Sequence, residues 1–348
     1  MTQQAQPLMP AMPAEELAIS RSEMETFARD PRWWYLTWYL QYQPAFQPPT
    51  GALNLGSRVH LAMQAKYGYD LDPLLVLDVL YAAEIEASGE YEKELRKEWE
   101  LSRIMVEGYL EEAAAQGWDS HLKVIATEQE VCVPLPGVPG VSLRVKLDQA
   151  VQDLDTGVLS FLDWKTGIDF AAAEYAREDP QMRLYSLVQW LAAGHPDPPA
   201  APLADRPAVL GGIVTVLKKV KRTKTAQPPF YRRESFVHSP EIMQATLRRC
   251  QYLAGEIIRA RSMLAMAGSD LDAVNQIQQG QLRRVWITGD CSWRCPHSKG
   301  MCQLMDRGGS GWAEALVSGG GYVQGDPYAY YADDGIERVK ALLEKRAE

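Results

Sequence analysis

The spacing of apolar residues changes along the chain and predicts two kinds of region. In the first third, apolar residues recur three and four positions apart, which predicts a helix from Ser20, a second helix entered near Leu55, and long helices over 72–116 with a break at Gly89. The aromatic run over 33–42 is typical of a helix core rather than of a platform for stacked bases. These helices are the predicted scaffold.

From about residue 122 the pattern becomes that of strands. Apolar and polar residues alternate over 123–134 and 141–151, and an acidic turn at 153–157 leads to a further strand over 158–164. The remaining predicted elements are a helix over 179–193, strands over 208–217 and 231–238, and helices over 239–266 and 333–347. The prediction is an α/β protein with a mixed central β-sheet flanked by helices, a helical N-terminal portion and a C-terminal segment that carries cysteines.

Length and composition indicate a globular protein with one large domain or two small ones. The 348 residues are 46% hydrophobic and 23% charged, with a net charge of -9, and no apolar run reaches the 18 or so residues of a membrane helix. The first residues lack a signal-peptide pattern, so we expect a cytoplasmic protein of a bacterium or phage-infected host. The predicted organisation is a disordered 1–17, a main domain over 18–307 with its core at about 120–270 and a cysteine segment at 286–307, and a Gly-rich linker with a helix over 308–348.

The hairpin over 145–167 carries the first candidate chemistry. Asp148 closes its first strand in this prediction, and Asp163 ends the second. Because paired strands lie about 5 Å apart, the two carboxylates can share a divalent cation. Lys165 points to the same face as Asp163, and either Glu128 or Glu130 is expected nearby. The alternative is a surface hairpin with an Asp/Lys pair.

Two helices carry further polar candidates. His60 falls in the helix entered near Leu55, where a histidine is more often a structural residue than a ligand. Gln181 and Tyr185 lie four apart on one face of the helix over 179–193. The ordinary interpretation of that pair is a hydrogen bond on a helix surface.

Basic residues and cysteines form two more clusters. Five basic residues directly follow the strand over 208–217, and in an acidic protein they are the best candidates for contacts with a phosphate backbone, although a solvated loop is the ordinary interpretation. They are Lys218, Lys219, Lys221, Arg222 and Lys224. Three of the five cysteines, Cys291, Cys295 and Cys302, are closely spaced and indicate a metal site rather than disulfides.

Taken together and in order, these motifs resemble the RecB-type, CRISPR-associated-exonuclease-like branch of the PD-(D/E)XK nuclease superfamily. The resemblance covers about residues 20–302 and lies in the ordered combination, since each motif alone is common. The motifs are Gly56 with His60, Glu128, Asp148, Asp163-x-Lys165, Gln181-x-x-x-Tyr185 and the clustered cysteines.

The resemblance implies a restriction-endonuclease-like core that hydrolyses DNA with Mg²⁺ or Mn²⁺. It implies that His60, Asp148, Asp163 and the carbonyl of Trp164 bind the metal ion. Lys165 would serve the attacking water, and Gln181 and Tyr185 would position the scissile strand. The expected activity is exonucleolytic, on single strands or duplex ends, in recombination, repair or replication. The alternative is a DNA-binding accessory that does not cut.

Three further expectations concern a protein partner, the clustered cysteines and the remaining cysteines. The sequence has no G-x-x-x-x-G-K-[ST] loop, so duplex unwinding would come from a partner such as a helicase or a recombinase. Relatives with an iron-sulfur cluster place a cysteine near the N-terminus, where this chain has Asp30. The resemblance favours a [4Fe-4S] cluster held by Cys291, Cys295 and Cys302 with Asp30 or an external fourth ligand. Zinc completed by His297, or no metal, are the alternatives. The last two cysteines, Cys132 and Cys250, are expected to be buried.

Overall fold

The chain clusters into two compact units, each assembled from segments that are distant in sequence. The computed structural model describes residues 17–192, 211–285, 289, 291, 294–307, 317–332 and 335–347. The first unit comprises Met1–Gln47, Cys132–Arg144 and Leu247–Ala332. The second comprises Pro48–Val131, Val145–Thr246 and Asp333–Glu348. Residues 1–16 of the predicted disordered N-terminus and residues 308–316 of the predicted linker lie outside the described residues.

The elements of both units follow in chain order. The strands are β1 Leu17–Ser20, β2 Tyr42–Pro44, β3 Leu122–Pro134, β4 Val141–Asp153, β5 Leu159–Gly167, β6 Gly211–Lys218, β7 Tyr231–Val237 and β8 Tyr322–Gln324. The helices are α1 Arg21–Arg29, α2 Pro31–Trp34, α3 Ala52–Tyr69, α4 Pro73–Ala87, α5 Glu92–Gln116, α6 Ala171–Glu174, α7 Pro180–Ala192, α8 Pro240–Ala267, α9 Leu271–Gln279, α10 Met301–Arg307, α11 Ala329–Ala332 and α12 Gly335–Ala347.

The second unit contains most of a mixed β-sheet. β4 pairs with β3 and lies antiparallel to β5, β5 runs parallel to β6, and β6 is antiparallel to β7. Every residue of β6 except the last is buried, as expected of a strand covered on both faces. The core of this unit joins α3, α4, α5 and α12 to β5 and β6, and Trp164 lies within it at 1% exposure. The mixed α/β architecture confirms the predicted fold class.

The first unit brings N-terminal and C-terminal segments together. β1 runs parallel to the start of β4, and β2 pairs antiparallel with β8. The side chain of Ser20 accepts from the backbone N–H of Glu23 and caps α1, as the capping pattern predicts. The Asp30 side chain accepts from the N–H groups of Arg32 and Trp33 and so caps α2. The cysteine-bearing segment contacts the N-terminal portion, since Arg32 of α2 forms an ion pair with Asp306 and Thr37 Oγ1 lies 2.8 Å from His297 Nε2.

Several short elements of the structure are absent from the sequence-based prediction, among them two strands. β1 lies where the pattern predicts no element, because four residues are too few to show a period. β8 lies inside the predicted linker over 308–325 and gains its order from pairing with β2, a partner that is distant in sequence. None of the described helices has the length and apolar character required to cross a membrane.

Candidate active site

The catalytic candidates begin on the β4–β5 hairpin. The register pairs Gln149 with Leu162, and one step further along the same register Asp148 lies opposite Asp163. β4 continues to Asp153, so the expectation that Asp148 closes the strand is wrong. The backbone N–H of Trp164 donates to the Asp148 carboxylate at 2.7 Å. The backbone of Asp148 is therefore held in β4, and its side chain is held by a hydrogen bond from β5.

His60 approaches Asp148 from α3. Its Nδ1 lies 3.2 Å from the Asp148 carboxylate, so it is not an isolated structural histidine. Ligand atoms of His60, Glu128 and Asp148 all lie within 4.8 Å of one another. One imidazole and two carboxylates form a donor set suited to Mg²⁺ or Mn²⁺.

Glu128 reaches this group because β3 changes phase at its position. Before Glu128 the less exposed positions of β3 are even-numbered (122 and 124), whereas after Glu128 they are odd-numbered (131 and 133). Glu128 itself has a φ of 49°, in the left-handed region that is unusual for a residue with a side chain. An extra residue with this geometry is a β-bulge, which re-aims a side chain. The strand pattern left Glu128 and Glu130 as alternatives, because it does not show the bulge, and only the family resemblance selected Glu128.

Lys165 links the hairpin to α7. Its Nζ lies 2.7 Å from the Asp163 carboxylate and donates to Gln181 Oε1 at 3.0 Å. Gln181 Nε2 in turn donates to the Tyr185 hydroxyl at 2.7 Å. The predicted Gln181/Tyr185 pair is therefore one end of a chain of contacts that holds the lysine ammonium in place.

Trp164 connects α3 to the hairpin from the opposite side of the strand. Its ring stacks on Tyr67 at 5.7 Å and meets Tyr109 edge to face at 5.0 Å. Tyr67 is two turns after His60 on α3, so both residues lie on the face that packs against β5. The aromatic contacts thereby support the approach of His60 to Asp148.

Burial and neighbouring charges shift the titration of the site. Burial raises the pKa of Asp163 to about 6, because Lys165 offsets the loss of solvent only in part. Burial alone would raise the pKa of Asp148. The positive charge of His60 and its hydrogen bond to the carboxylate outweigh the effect of burial and lower this pKa. Burial lowers the pKa of His60, yet the negative charge of Asp148 raises it to about 9. The metal-free site is thus a tightly coupled group of charges.

The polar atoms at Asp163 also fit a cation. Its carboxylate is completely buried, and neither oxygen receives a well-aligned hydrogen bond from a described residue. The Lys165 ammonium is its partner in an ion pair. A buried carboxylate in this condition is stabilised by further positive charge, so the residues present are compatible with a bound divalent ion.

The comparisons agree with this geometry. The family model described as PD-(D/E)XK nuclease superfamily matches residues 18–296, which is most of the chain. The chain belongs to the PD-(D/E)XK nuclease superfamily. No curated protein matches it. The superfamily resemblance stated from the sequence is confirmed, whereas the RecB-type branch stays a prediction.

In this superfamily member, the predicted metal ligands divide into two groups. His60 and Asp148 converge as expected, and Glu128 joins them, although the sequence analysis did not include it among the metal ligands. Asp163 lies beside them and is paired with Lys165. The ligand role of Asp163 and of the Trp164 carbonyl stays a prediction.

The basic residues after β6 have several partners on the protein itself. Lys221 forms an ion pair with Glu100, and Arg222 pairs with Glu111 at 2.7 Å. Both glutamates lie on α5, which the sequence does not place beside this segment. Lys218 Nζ lies over the Phe170 ring at 5.6 Å. The positive charge of the cluster is therefore partly neutralised at Lys221 and Arg222.

Two of the three clustered cysteines, Cys295 and Cys302, contact each other in the first unit. Cys291 and Cys302 are buried, and Cys295 is half-buried. A hydrogen bond from Cys302 lowers the pKa of Cys295. In the described part of the chain, only His60, Glu128 and Asp148 form a group of three His, Cys, Asp or Glu ligands within 4.8 Å of one another. The cysteines are therefore more widely spaced than the ligands of a preformed zinc site.

The other two cysteines and Asp30 have different surroundings. Cys250 is buried as expected, but Cys132 is exposed, so that part of the prediction is wrong. The phase change at Glu128 explains it, because even-numbered residues of β3 face outward after the bulge. Asp30 is 6% exposed, and burial raises its pKa even though it caps α2.

The raised pKa of His60 predicts a pH-dependent metal affinity. The ring must lose its proton to bind an ion, and its pKa of about 9 means that it is protonated at neutral pH. Affinity for Mn²⁺ should therefore increase with pH up to about 9, with release of about one proton per ion near neutral pH. Calorimetry in buffers of different ionisation enthalpy measures this release, which His60→Gln should abolish. Release that is the same in His60→Gln would contradict the assignment.

Proposed function

We propose that this protein is a metal-dependent deoxyribonuclease that hydrolyses DNA phosphodiester bonds with Mg²⁺ or Mn²⁺. The observation that carries the proposal is the convergence of His60, Glu128 and Asp148 beside an Asp163–Lys165 ion pair. Membership of the nuclease superfamily supports a nuclease in general. The finer proposal is an exonuclease that acts on single strands or duplex ends, and a helicase or recombinase partner stays a prediction.

His60, Glu128 and Asp148 would hold the metal ion, and Asp163 adjoins them. A divalent ion in such a site supplies an activated water and neutralises charge on the phosphate. The protein residues hold the acidic groups in register, since Trp164 N–H fixes Asp148 and the bulge in β3 directs Glu128. This arrangement is set before DNA arrives, which lowers the cost of ordering the site during the reaction.

Lys165 would stabilise the negative charge that develops on the phosphate. Burial lowers its pKa, but the charges of Asp163 and Asp148 outweigh that effect and raise it, so the ammonium is charged at neutral pH. Gln181 fixes one direction of the ammonium through the bond at 3.0 Å. A charged lysine orients a water or a phosphate oxygen, rather than acting as a general base.

The first test removes the groups closest to the reaction. Asp163→Asn and Lys165→Ala should reduce cleavage of end-labelled DNA by at least about a hundredfold, because each removes charge used in the transition state, while DNA binding persists. Asp148→Asn should raise the Mn²⁺ concentration required. Labelling at the 5′ or the 3′ end of single- and double-stranded DNA shows polarity and strand preference.

Controls for this test come from the same sheet. Asp155→Asn, in the exposed turn after β4, and Lys123→Ala, on an exposed position of β3, make the same charge changes away from the site. Both should retain activity. Turnover by Asp163→Asn at the wild-type rate, or DNA binding without cleavage in any divalent metal, would contradict the proposal.

The second test concerns the basic residues after β6. If Lys218, Lys219 and Lys224 contact phosphates, changing all three to Ala should weaken DNA binding. The slope of log affinity against log salt should become shallower by up to about three units. Cleavage at saturating DNA should be retained. A control with Lys93, Lys97 and Lys123 changed to Ala loses the same charge. An equal loss of DNA binding in this control would mean that the cluster contributes only through the net charge of the protein and not through specific phosphate contacts.

The cysteine segment is proposed to hold a [4Fe-4S] cluster. Thiolates are the ligands of such clusters, and each binds a different iron atom, so the sulfur atoms need not converge as closely as they do around zinc. The proximity of Asp30 supports it as the fourth ligand, since its charge acts on both Cys295 and Cys302. The cluster would have a structural role in the first unit.

The third test measures the metal bound to the cysteines. Protein purified without oxygen should be brown, with broad absorbance near about 400 nm and equal amounts of iron and sulfide. Cys295→Ser should lower thermal stability and iron content, whereas Cys132→Ser, at an exposed position, should change neither. Colourless wild-type protein with one zinc ion would contradict the iron-sulfur proposal and favour ligation by His297, and protein with neither metal would contradict both.

A further inference from the structure

A second lysine lies at the candidate metal site. Lys146 is two residues before Asp148 on β4, so both side chains are on the same face of the sheet. Its Nζ lies 3.3 Å from the Glu128 carboxylate. The two side chains are only 15% and 20% exposed, so solvent screens the ion pair less than it screens a pair on the surface.

The two lysines form ion pairs with different carboxylates. Lys165 is directed to Asp163 and Gln181, whereas Lys146 is paired with Glu128. The site therefore contains three carboxylates and two ammonium groups, one of which contacts a member of the group formed by His60, Glu128 and Asp148. A divalent ion bound to that group must share Glu128 with Lys146 or displace it.

The backbone sets the side of β3 from which Glu128 projects. The φ of 49° at Glu128 and the change of phase in β3 set the direction in which its side chain leaves the strand, independently of Lys146. Loss of Lys146 should thus leave Glu128 within reach of the ion. Lys146 therefore acts on the ion chiefly through Glu128, because two like charges that share one carboxylate repel each other and compete for it.

We propose that Lys146 is an internal counter-cation of the metal site, which competes with the divalent ion for Glu128 and thereby sets the metal concentration at which the site fills. The inference rests on the proposed function, since it assumes that His60, Glu128 and Asp148 bind the ion. In the metal-free protein Lys146 neutralises Glu128 and limits its repulsion from Asp148. When the ion binds, the ammonium gives up this carboxylate.

The test is the affinity of the full chain for Mn²⁺ alone, measured without DNA by calorimetry and by the loss of the signal of free Mn²⁺ in electron paramagnetic resonance. Lys146→Met keeps a long unbranched side chain and removes the charge. It should lower the dissociation constant about tenfold or more, because one positive charge near a divalent ion is lost. Lys146→Arg keeps the charge and should bind like the wild type. Lys123→Met, the same change at an exposed position of β3, should also have no effect.

A double-mutant cycle shows whether Lys146 acts through Glu128. Glu128→Gln should weaken Mn²⁺ binding, and Lys146→Met in that background should tighten it by much less than in the wild type. Thermal unfolding of each variant checks folding, and Lys146→Gln replaces Lys146→Met if the latter is not folded. Unchanged or weaker binding in a folded neutral variant would overturn the inference, as would an equal gain in the Glu128→Gln background.

The outcomes also separate this inference from the proposed function. If the wild type binds Mn²⁺ and Asp148→Asn weakens that binding, the metal site stands, and the Lys146 variants alone decide the role of Lys146. If neither the wild type nor any Lys146 variant binds Mn²⁺, both the metal-dependent function and the inference are overturned.

Discussion

The fully buried carboxylate of Asp163 is the constraint on which the rest of the site depends. An ionised carboxylate without solvent is costly unless positive charge lies beside it, and here Lys165 provides that charge at 2.7 Å. Lys165 in turn requires Gln181, which requires Tyr185. The short Asp-x-Lys motif therefore obtains part of its polar contacts from α7, a helix from a later part of the chain whose buried apolar residues pack it in place.

A similar dependence links Asp148 to α3. Its charge is maintained by His60 and by the Trp164 N–H, and the Trp164 ring packs between Tyr67 and Tyr109. One residue thus supplies a backbone donor to the polar site and an aromatic side chain to the core. The stability of the core and the geometry of the candidate metal ligands are therefore not independent, since a change at Trp164 affects both.

Local patterns in the sequence predicted the elements and most of the site, but not the contacts between distant segments. The strand alternation and the acidic turn predicted β5 and placed Asp163 near Asp148, and the ordered motifs led to His60 and Gln181. The bulge at Glu128, the pairing of β8 with β2 and the ion pair of Lys221 with Glu100 each depend on tertiary structure. Hydrophobic periodicity carries no information on such contacts, because it reports only which face of an element is buried.

His60, Glu128 and Asp148 are proposed to hold one divalent ion. Crystals grown with Mn²⁺ and measured on both sides of the manganese absorption edge would locate the ion directly. We expect an anomalous peak within bonding distance of the Asp148 and Glu128 carboxylates and the His60 ring, with Lys146 withdrawn from Glu128. A peak only at other residues, with the Lys146–Glu128 pair intact and these three side chains unligated, would contradict this proposal.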